Sequence, residues 1–256
     1  METILRTECI SQRFGGVKAL TDISLSIPTG KIFSIIGPNG AGKTTFFNAI
    51  SGLAAPVEGK VYFQDQEITG LKSFEIQKKG LSRTFQNIRL FPEMSVKENI
   101  IVGDHSHSTK AILPSVFRAK HYRESEERME AEAERWMKFF GLYPLRHQHP
   151  TSLPYGLQRK LEIARAMISG PKLLLLDEPA AGMNEAETIE LRNDVKKLSE
   201  LGTTVLLIEH DMKFVMSLSD TIAVLNHGCL LKVGQPDEIL KDKSVIDAYL
   251  GTEVDL

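Results

Sequence analysis

One short stretch constrains this chain more than any other. The run Lys31-Ile-Phe-Ser-Ile-Ile36 leads directly into Gly37-Pro38-Asn39-Gly40-Ala41-Gly42-Lys43-Thr44. The first part is rich in β-branched and aromatic residues and stops at Gly and Pro, the pattern of a buried strand entering a loop. A helix is predicted from Gly42 to Ile50. The loop fits GxxxxGK[ST] in the strand-loop-helix context that this motif requires. Glycines let the backbone wrap closely round a polyanion, successive N–H groups turn inward, and the helix N-terminus adds partial positive charge. Gly37, Pro38, Asn39, Gly40, Ala41, Gly42, Lys43, Thr44 and Thr45 are therefore the candidate phosphate cradle. Lys43 is expected to reach the β- and γ-phosphates, and the Thr44 hydroxyl to ligate Mg²⁺. The bland alternative, a glycine-rich turn before a helix, has to fill the four constrained positions by chance.

Similar apolar runs recur at Leu173 to Leu176, Val205 to Ile208 and Ile222 to Leu225, with helix-length segments between the later ones. This alternation predicts a mainly parallel sheet covered by helices. Cys9 to Phe14, Ile23 to Ile27 and Lys60 to Phe63 read as short strands between Gly and Pro turns, so a flanking antiparallel layer is expected. Strand signal fades between about Asn87 and Gly170. Glu124 to Phe140 is a strong helix former with Met129, Ala133, Trp136, Met137 and Phe140 on one side. The chain thus reads as one α/β domain, with residues 1–86 and 171–235 as the core, a helical subdomain over 87–170 and a helical tail over 236–256.

Composition excludes other classes. The 256 residues suffice for one large domain that buries most of its unfolded surface. A net charge of -2 gives a nucleic-acid partner no global electrostatic support. Cys9 and Cys229 are far apart and lack metal-ligand spacing, which reads as free thiols in a reducing compartment. His105, His107, His121, His147 and His149 form no convincing zinc pattern. The start of the chain lacks a secretory pattern, and no run approaches the roughly 20 apolar residues that span a bilayer. The charges from Arg123 to Arg135 read as a solvated helix face, and Trp136 as core.

A second chemical cluster follows the four leucines at 173–176, where Asp177-Glu178-Pro179 emerges at the end of a predicted buried strand. Open α/β sheets bind ligands at that end. Asp177 is expected to position Mg²⁺, mainly through its water shell, and Glu178 to accept a proton from an attacking water. A structural alternative makes the pair a turn with Pro179 as the first helical residue.

With these motifs in order, the chain resembles the ABC-type ATPases along essentially its whole length. The resemblance implies the following roles. Gln86, in Arg83-Thr-Phe-Gln86, matches the Q-loop glutamine that senses Mg²⁺. Leu153-Pro-Tyr-Gly156-Leu-Gln158 matches the signature segment LSGGQ, in which Tyr155 and Gly156 approach the γ-phosphate held by a partner subunit. Residues 181–184 match the D-loop, and His210 the switch histidine that contacts the γ-phosphate. Glu209 beside it reads as a polar loop residue. Phe14 lies 23 residues ahead of Gly37, where the family places an aromatic that stacks on adenine; ordinary packing is its alternative.

The signature departs from the family pattern. Pro154 replaces the serine, Tyr155 the first glycine, and Leu157 the usual glutamine or acid. Proline is tolerable at a helix start, where its missing N–H has no intrahelical partner. Within the family, the chain resembles the first of the paired ATPases that energise bacterial uptake of branched-chain amino acids. Arg13 to Val17, Arg83 to Phe91, Leu161 to Arg165, Asp177 to Gly182, Ile208 to Lys213 and Ala248 to Gly251 carry this likeness. Related importers of urea or amides share many of these features, and non-transport ABC ATPases use the same motor. The resemblance implies ATP and Mg²⁺ as ligands, a second ATPase subunit, identical or different, two membrane permeases and, indirectly, a solute-binding protein. It places the chain on the cytoplasmic face of the cell membrane and gives no role to nucleic acid.

Overall fold

The computed structural model describes residues 2–104 and 119–250, with the backbone alone for 119–125 and Leu250. Four strands end at the motifs singled out above, β3 (Ile32–Ile36), β6 (Leu81–Arg83), β7 (Leu173–Asp177) and β8 (Thr204–Ile208), and β9 (Thr221–Asn226) runs beside β3. With β10 (Cys229–Gly234) they form a sheet in the order β10-β9-β3-β8-β7-β6. All pairs are parallel except β9 with β10. The mainly parallel core is thus as expected.

Side-chain alternation explains why β3, β7 and β8 read as continuous apolar runs. Ile32, Ile36, Leu174, Leu176, Val205 and Leu207 point into the core under the helices. Phe33, Ile35, Leu173, Leu175, Leu206 and Ile208 point into a second core on the opposite face. A strand covered on both faces has no polar side to show. The second core is closed by an antiparallel sheet, ordered β2-β1-β4-β5, of β1 (Thr3–Phe14), β2 (Val17–Pro28), β4 (Glu58–Phe63) and β5 (Gln66–Glu67). Here β1 starts at Thr3 rather than Cys9, because register shifts along β1 and β2 break the simple alternation that marks a strand in sequence. β6 and β10 escaped notice for related reasons: β6 has three residues, and β10 is largely exposed.

Helix α1 (Lys43–Ile50) follows the first loop, and α2 (Ser73–Lys78) precedes β6. Between β6 and β7 lie α3 (Val96–Ile101), α4 (Ala119–Phe139) and α5 (Tyr155–Met167), and no strand among the described residues. Helix α4 presents Ala133, Trp136 and Met137 to the core and leaves much of its charged face exposed. Helices α6 (Glu185–Glu200) and α7 (Met212–Leu218) flank β8, and α8 (Pro236–Lys241) and α9 (Lys243–Leu250) end the described chain. Pro179 does not begin a helix: α6 starts six residues later, capped by Asn184, which accepts from Glu187 N and completes a capping box.

His105 and His107 lie outside the described residues, as do Gly251 and the side chain of His121. Among the described residues no group of His, Cys, Asp or Glu could by itself hold a metal ion, and no helix is long and apolar enough to cross a membrane. Cys9 and Cys229 are exposed free thiols.

Leu174 is fully buried in the first core. Leu174→Ala is expected to destabilise the fold by about 2–5 kcal/mol, combining lost transfer energy with a residual cavity. Urea unfolding measures this; a loss under about 1 kcal/mol would contradict the packing described.

Candidate active site

Parallel pairing places the C-terminal ends of β3, β6, β7 and β8 along one edge of the sheet. Gly37, Arg83, Asp177 and Glu209 therefore stand near the ends of neighbouring strands, each opening a loop on the side where open α/β sheets bind ligands.

The loop after β3 closes into a turn, with Ala41 N donating to the Pro38 carbonyl at 3.1 Å. Gly42 has φ +100° and forms the N-cap of α1, so it stands just before the helix rather than within it. No L-residue fits there, because a Cβ would lie 2.6 Å from the Ala19 carbonyl oxygen. Asn39, Gly40 and Thr44 are exposed, whereas Ala41 and Lys43 are buried. The Lys43 ammonium lies within the loop, donating to the carbonyls of Gly37 at 2.6 Å and Pro38 at 3.0 Å. Burial lowers its pKa, partly offset by the charge of Glu178.

Asp177 closes β7 and is nearly buried. Its Oδ2 accepts from Arg83 Nη2 at 2.7 Å, while Arg83 Nη1 donates to Asn48 Oδ1 at 2.9 Å and Ser51 Oγ at 2.7 Å. One guanidinium thus ties β6, α1 and β7 together. Sequence reading gave Arg83 no role of its own, naming it only as part of the stretch that leads to Gln86.

Glu178 adopts φ +47°, sparsely populated for a residue with a side chain, and its N–H donates to the Ile208 carbonyl at 3.0 Å. This backbone directs the carboxylate to the meeting point of three loops. Gln86 Nε2 donates to Glu178 Oε2 at 2.7 Å, and His210 Nδ1 lies 4.0 Å from the same oxygen. The Gln86 amide in this state thus engages Glu178.

Glu209 is not an ordinary polar loop residue. It is fully buried, and its two oxygens accept from Ala180 N at 2.8 Å and His210 N at 3.1 Å. Burial pushes its carboxyl pKa up, and these backbone donors oppose the shift. Glu209 therefore fixes the loop after Asp177-Glu178 against the one that carries His210. A carboxylate next to a histidine gave no sequence sign of this, since its burial depends on the neighbouring loop.

Other candidates stand apart from this cluster. Phe14 ends β1 and is 54% exposed, so it is not a core residue. It pairs with Val17, and the same hairpin reaches the phosphate loop through Ala19 and Gly42. Tyr155 and Gly156 begin α5, with Pro154 as its N-cap. A Cβ on Gly156 would lie 2.7 Å from a Glu187 carboxylate oxygen, so a side chain there requires the Glu187 carboxylate to move aside. Thr45, on the first turn of α1, is half-buried.

A P-loop on β3, carboxylates ending β7 and a histidine after β8, on a parallel sheet with an antiparallel flank, define a nucleotide-binding P-loop ATPase. Residues 20–181 match the ABC transporter family. The chain is 45% identical over 249 residues to the high-affinity branched-chain amino acid transport ATP-binding protein BraF of Pseudomonas aeruginosa, covering 97% of this chain and 98% of that one. It is 41% identical over 251 residues to LivG of Escherichia coli, described in the same words, with 98% of each chain covered. Its fold resembles the ADP conformation of an ATP-binding cassette of an ABC transporter, with a TM-score of 0.86 and 33% identity over 98% of this chain and 100% of that one. This chain belongs to the ABC transporter family, as its nucleotide-binding, ATP-hydrolysing component.

Glu209→Ala leaves two backbone donors without their acceptor. Unfolding free energy is expected to fall by about 1–3 kcal/mol, the cost of unsatisfied buried groups. An unchanged urea midpoint would show that these amides find other partners.

Proposed function

We propose that this chain is the ATPase of a bacterial importer of branched-chain amino acids, driving transport by nucleotide-dependent closure of an ATPase dimer. The observation that carries the catalytic part is the convergence of Gln86, Glu178 and His210 beside the Lys43 loop. The substrate follows from the near full-length likeness to BraF and LivG.

In this reading the triphosphate lies along Gly37 to Thr45, and its charge draws the Lys43 ammonium from the loop carbonyls to the β- and γ-phosphates. Phe14, exposed beside the same loop, stacks on adenine. Glu178 accepts a proton from water as the water oxygen attacks the γ-phosphorus. The bond to the bridging oxygen of the leaving ADP breaks, giving ADP and inorganic phosphate. Gln86 holds Glu178 and the water in place, and His210 contacts the γ-phosphate.

The protein donors fit a Mg²⁺ that arrives with nucleotide. Thr44 offers a hydroxyl, Gln86 an amide, and Asp177 one carboxylate whose Oδ2 already faces Arg83. This set is too sparse to hold the ion alone, which suits a cation that keeps waters and phosphate oxygens as ligands. When bound there, Mg²⁺ supplies charge neutralisation at the phosphates.

Tyr155 and Gly156, at the start of α5, suit the γ-phosphate of a facing subunit, which is either a second copy or a related ATPase. Pro154 brings no hydroxyl to that contact. Between β6 and the helical region, a groove lined by Phe74, Phe85, Arg89, Phe91 and Arg165 offers apolar and basic surface to a permease helix. In this reading the chain sits at the cytoplasmic face of the cell membrane, bound through two permeases to a system whose solute-binding protein selects the cargo.

Glu178→Gln is expected to keep ATP binding while lowering the hydrolysis rate by about 10²-fold or more, since a positioned base contributes 10²–10⁴. Phosphate release and ATP titration measure the two separately. Near-normal turnover would remove Glu178 from the role of base.

A further inference from the structure

Helix α5 grips the segment after β6 through a buried ion pair. Arg159 is fully buried. Its Nη1 donates to the Phe85 carbonyl at 2.7 Å and Glu162 Oε2 at 2.8 Å; its Nη2 donates to the Gln86 carbonyl at 2.7 Å and the Tyr155 hydroxyl at 3.2 Å. Glu162 Oε1 accepts from Arg89 N at 3.4 Å. Three backbone groups between 85 and 89 thus hang from two side chains of α5. Stability alone is a poor reason for such a pair, because well-packed apolar residues often replace buried ion pairs without loss. What a guanidinium adds is a rigid planar fork that fixes two carbonyls at once.

The two ends of this arrangement lead to different places. At one end Tyr155, the first residue of α5, is 40% exposed and lies beside Gly182, where a Cβ would stand 3.3 Å from its ring. At the other, the residue whose carbonyl Arg159 holds places its own amide 2.7 Å from Glu178. A path of hydrogen bonds, joined covalently through Gln86, therefore runs from the exposed start of α5 to the carboxylate.

We propose that Tyr155 and Arg159 are positioning residues that make the start of α5 and Gln86 move together, so that engagement of the signature end is transmitted to Glu178. The inference rests on the reading of Gln86 and Glu178 as parts of the hydrolytic site. It gives a role to the tyrosine that departs from the signature pattern, since its hydroxyl accepts from Nη2 and orients the fork. A displacement of the helix start carries Arg159 with it, and the carbonyls of Phe85 and Gln86 follow.

The test is a double-mutant cycle on the full chain, with ATP titration and thermal melting as checks of folding. Arg159→Lys keeps a cation beside Glu162 but cannot fork to two carbonyls. It is expected to lower kcat roughly tenfold while KM for ATP changes less than about twofold, a loss in line with mutations along a coupled path. In a Gln86→Ala background the same substitution is expected to change kcat no further. Equal losses in both backgrounds, or an unchanged kcat in Arg159→Lys alone, would overturn the proposal and leave the catalytic reading intact. Full turnover in Gln86→Ala would overturn both. Should Arg159→Lys fail to fold, Tyr155→Phe runs the same cycle. Its expected loss is a few-fold, since the fork loses one long hydrogen bond of 3.2 Å and keeps its others, and it too vanishes without Gln86; a loss that persists there counts against the proposal.

Discussion

Parallel pairing of β3 with β8 and β9, and of β7 with β6 and β8, is the constraint from which the site follows. Parallel strands require crossovers, and crossovers leave loops at both sheet edges. At the C-terminal edge those loops carry Lys43, Gln86, Glu178 and His210, residues up to 167 positions apart in sequence, taking 210 − 43. Burial of both sheet faces holds the edge in place: helices cover one side, and α1 with the antiparallel layer the other. The strand ends that carry these groups are held by that packing.

Within that frame the charges are arranged in pairs that cross between elements. Arg83 joins β6 to β7 through Asp177 and reaches α1 through Asn48 and Ser51. Glu209 joins the loops after β7 and β8 through two backbone amides. Arg159 joins α5 to the segment after β6. Each contact links elements that meet at the nucleotide edge, so a displacement of one loop is resisted or relayed by its neighbours. The low dielectric around these buried groups strengthens their attractions and makes loss of any partner costly.

The sequence marked the residues that gather at this edge more fully than the contacts that support them. Gly37 to Thr44 and Asp177-Glu178 carry signals in adjacent residues, and the both-sides-buried strands carry theirs in unbroken apolar runs. Arg83, Glu162 and Glu209 fall within stretches that carry the family likeness, yet neither they nor Arg159 disclose a structural role, because a charged residue looks solvated in sequence and becomes structural only through a distant partner. Strand β6 was too short to register, and β1 was obscured by its register shifts. Phe14 required the structure in another way: its exposure was needed to exclude a core aromatic, and the contact of its hairpin with Gly42 to bring it near the loop after β3.

A structure with an ATP analogue and Mn²⁺ in place of Mg²⁺ tests the central claim most directly, because anomalous scattering locates the metal without reference to the surrounding density. The account predicts the triphosphate along Gly37 to Thr45, the metal ligated by the Thr44 hydroxyl and facing Asp177 through water, and Glu178 within hydrogen-bond reach of a water aligned with the γ-phosphate. A metal remote from Asp177, or a Glu178 carboxylate turned away from that water, would contradict it.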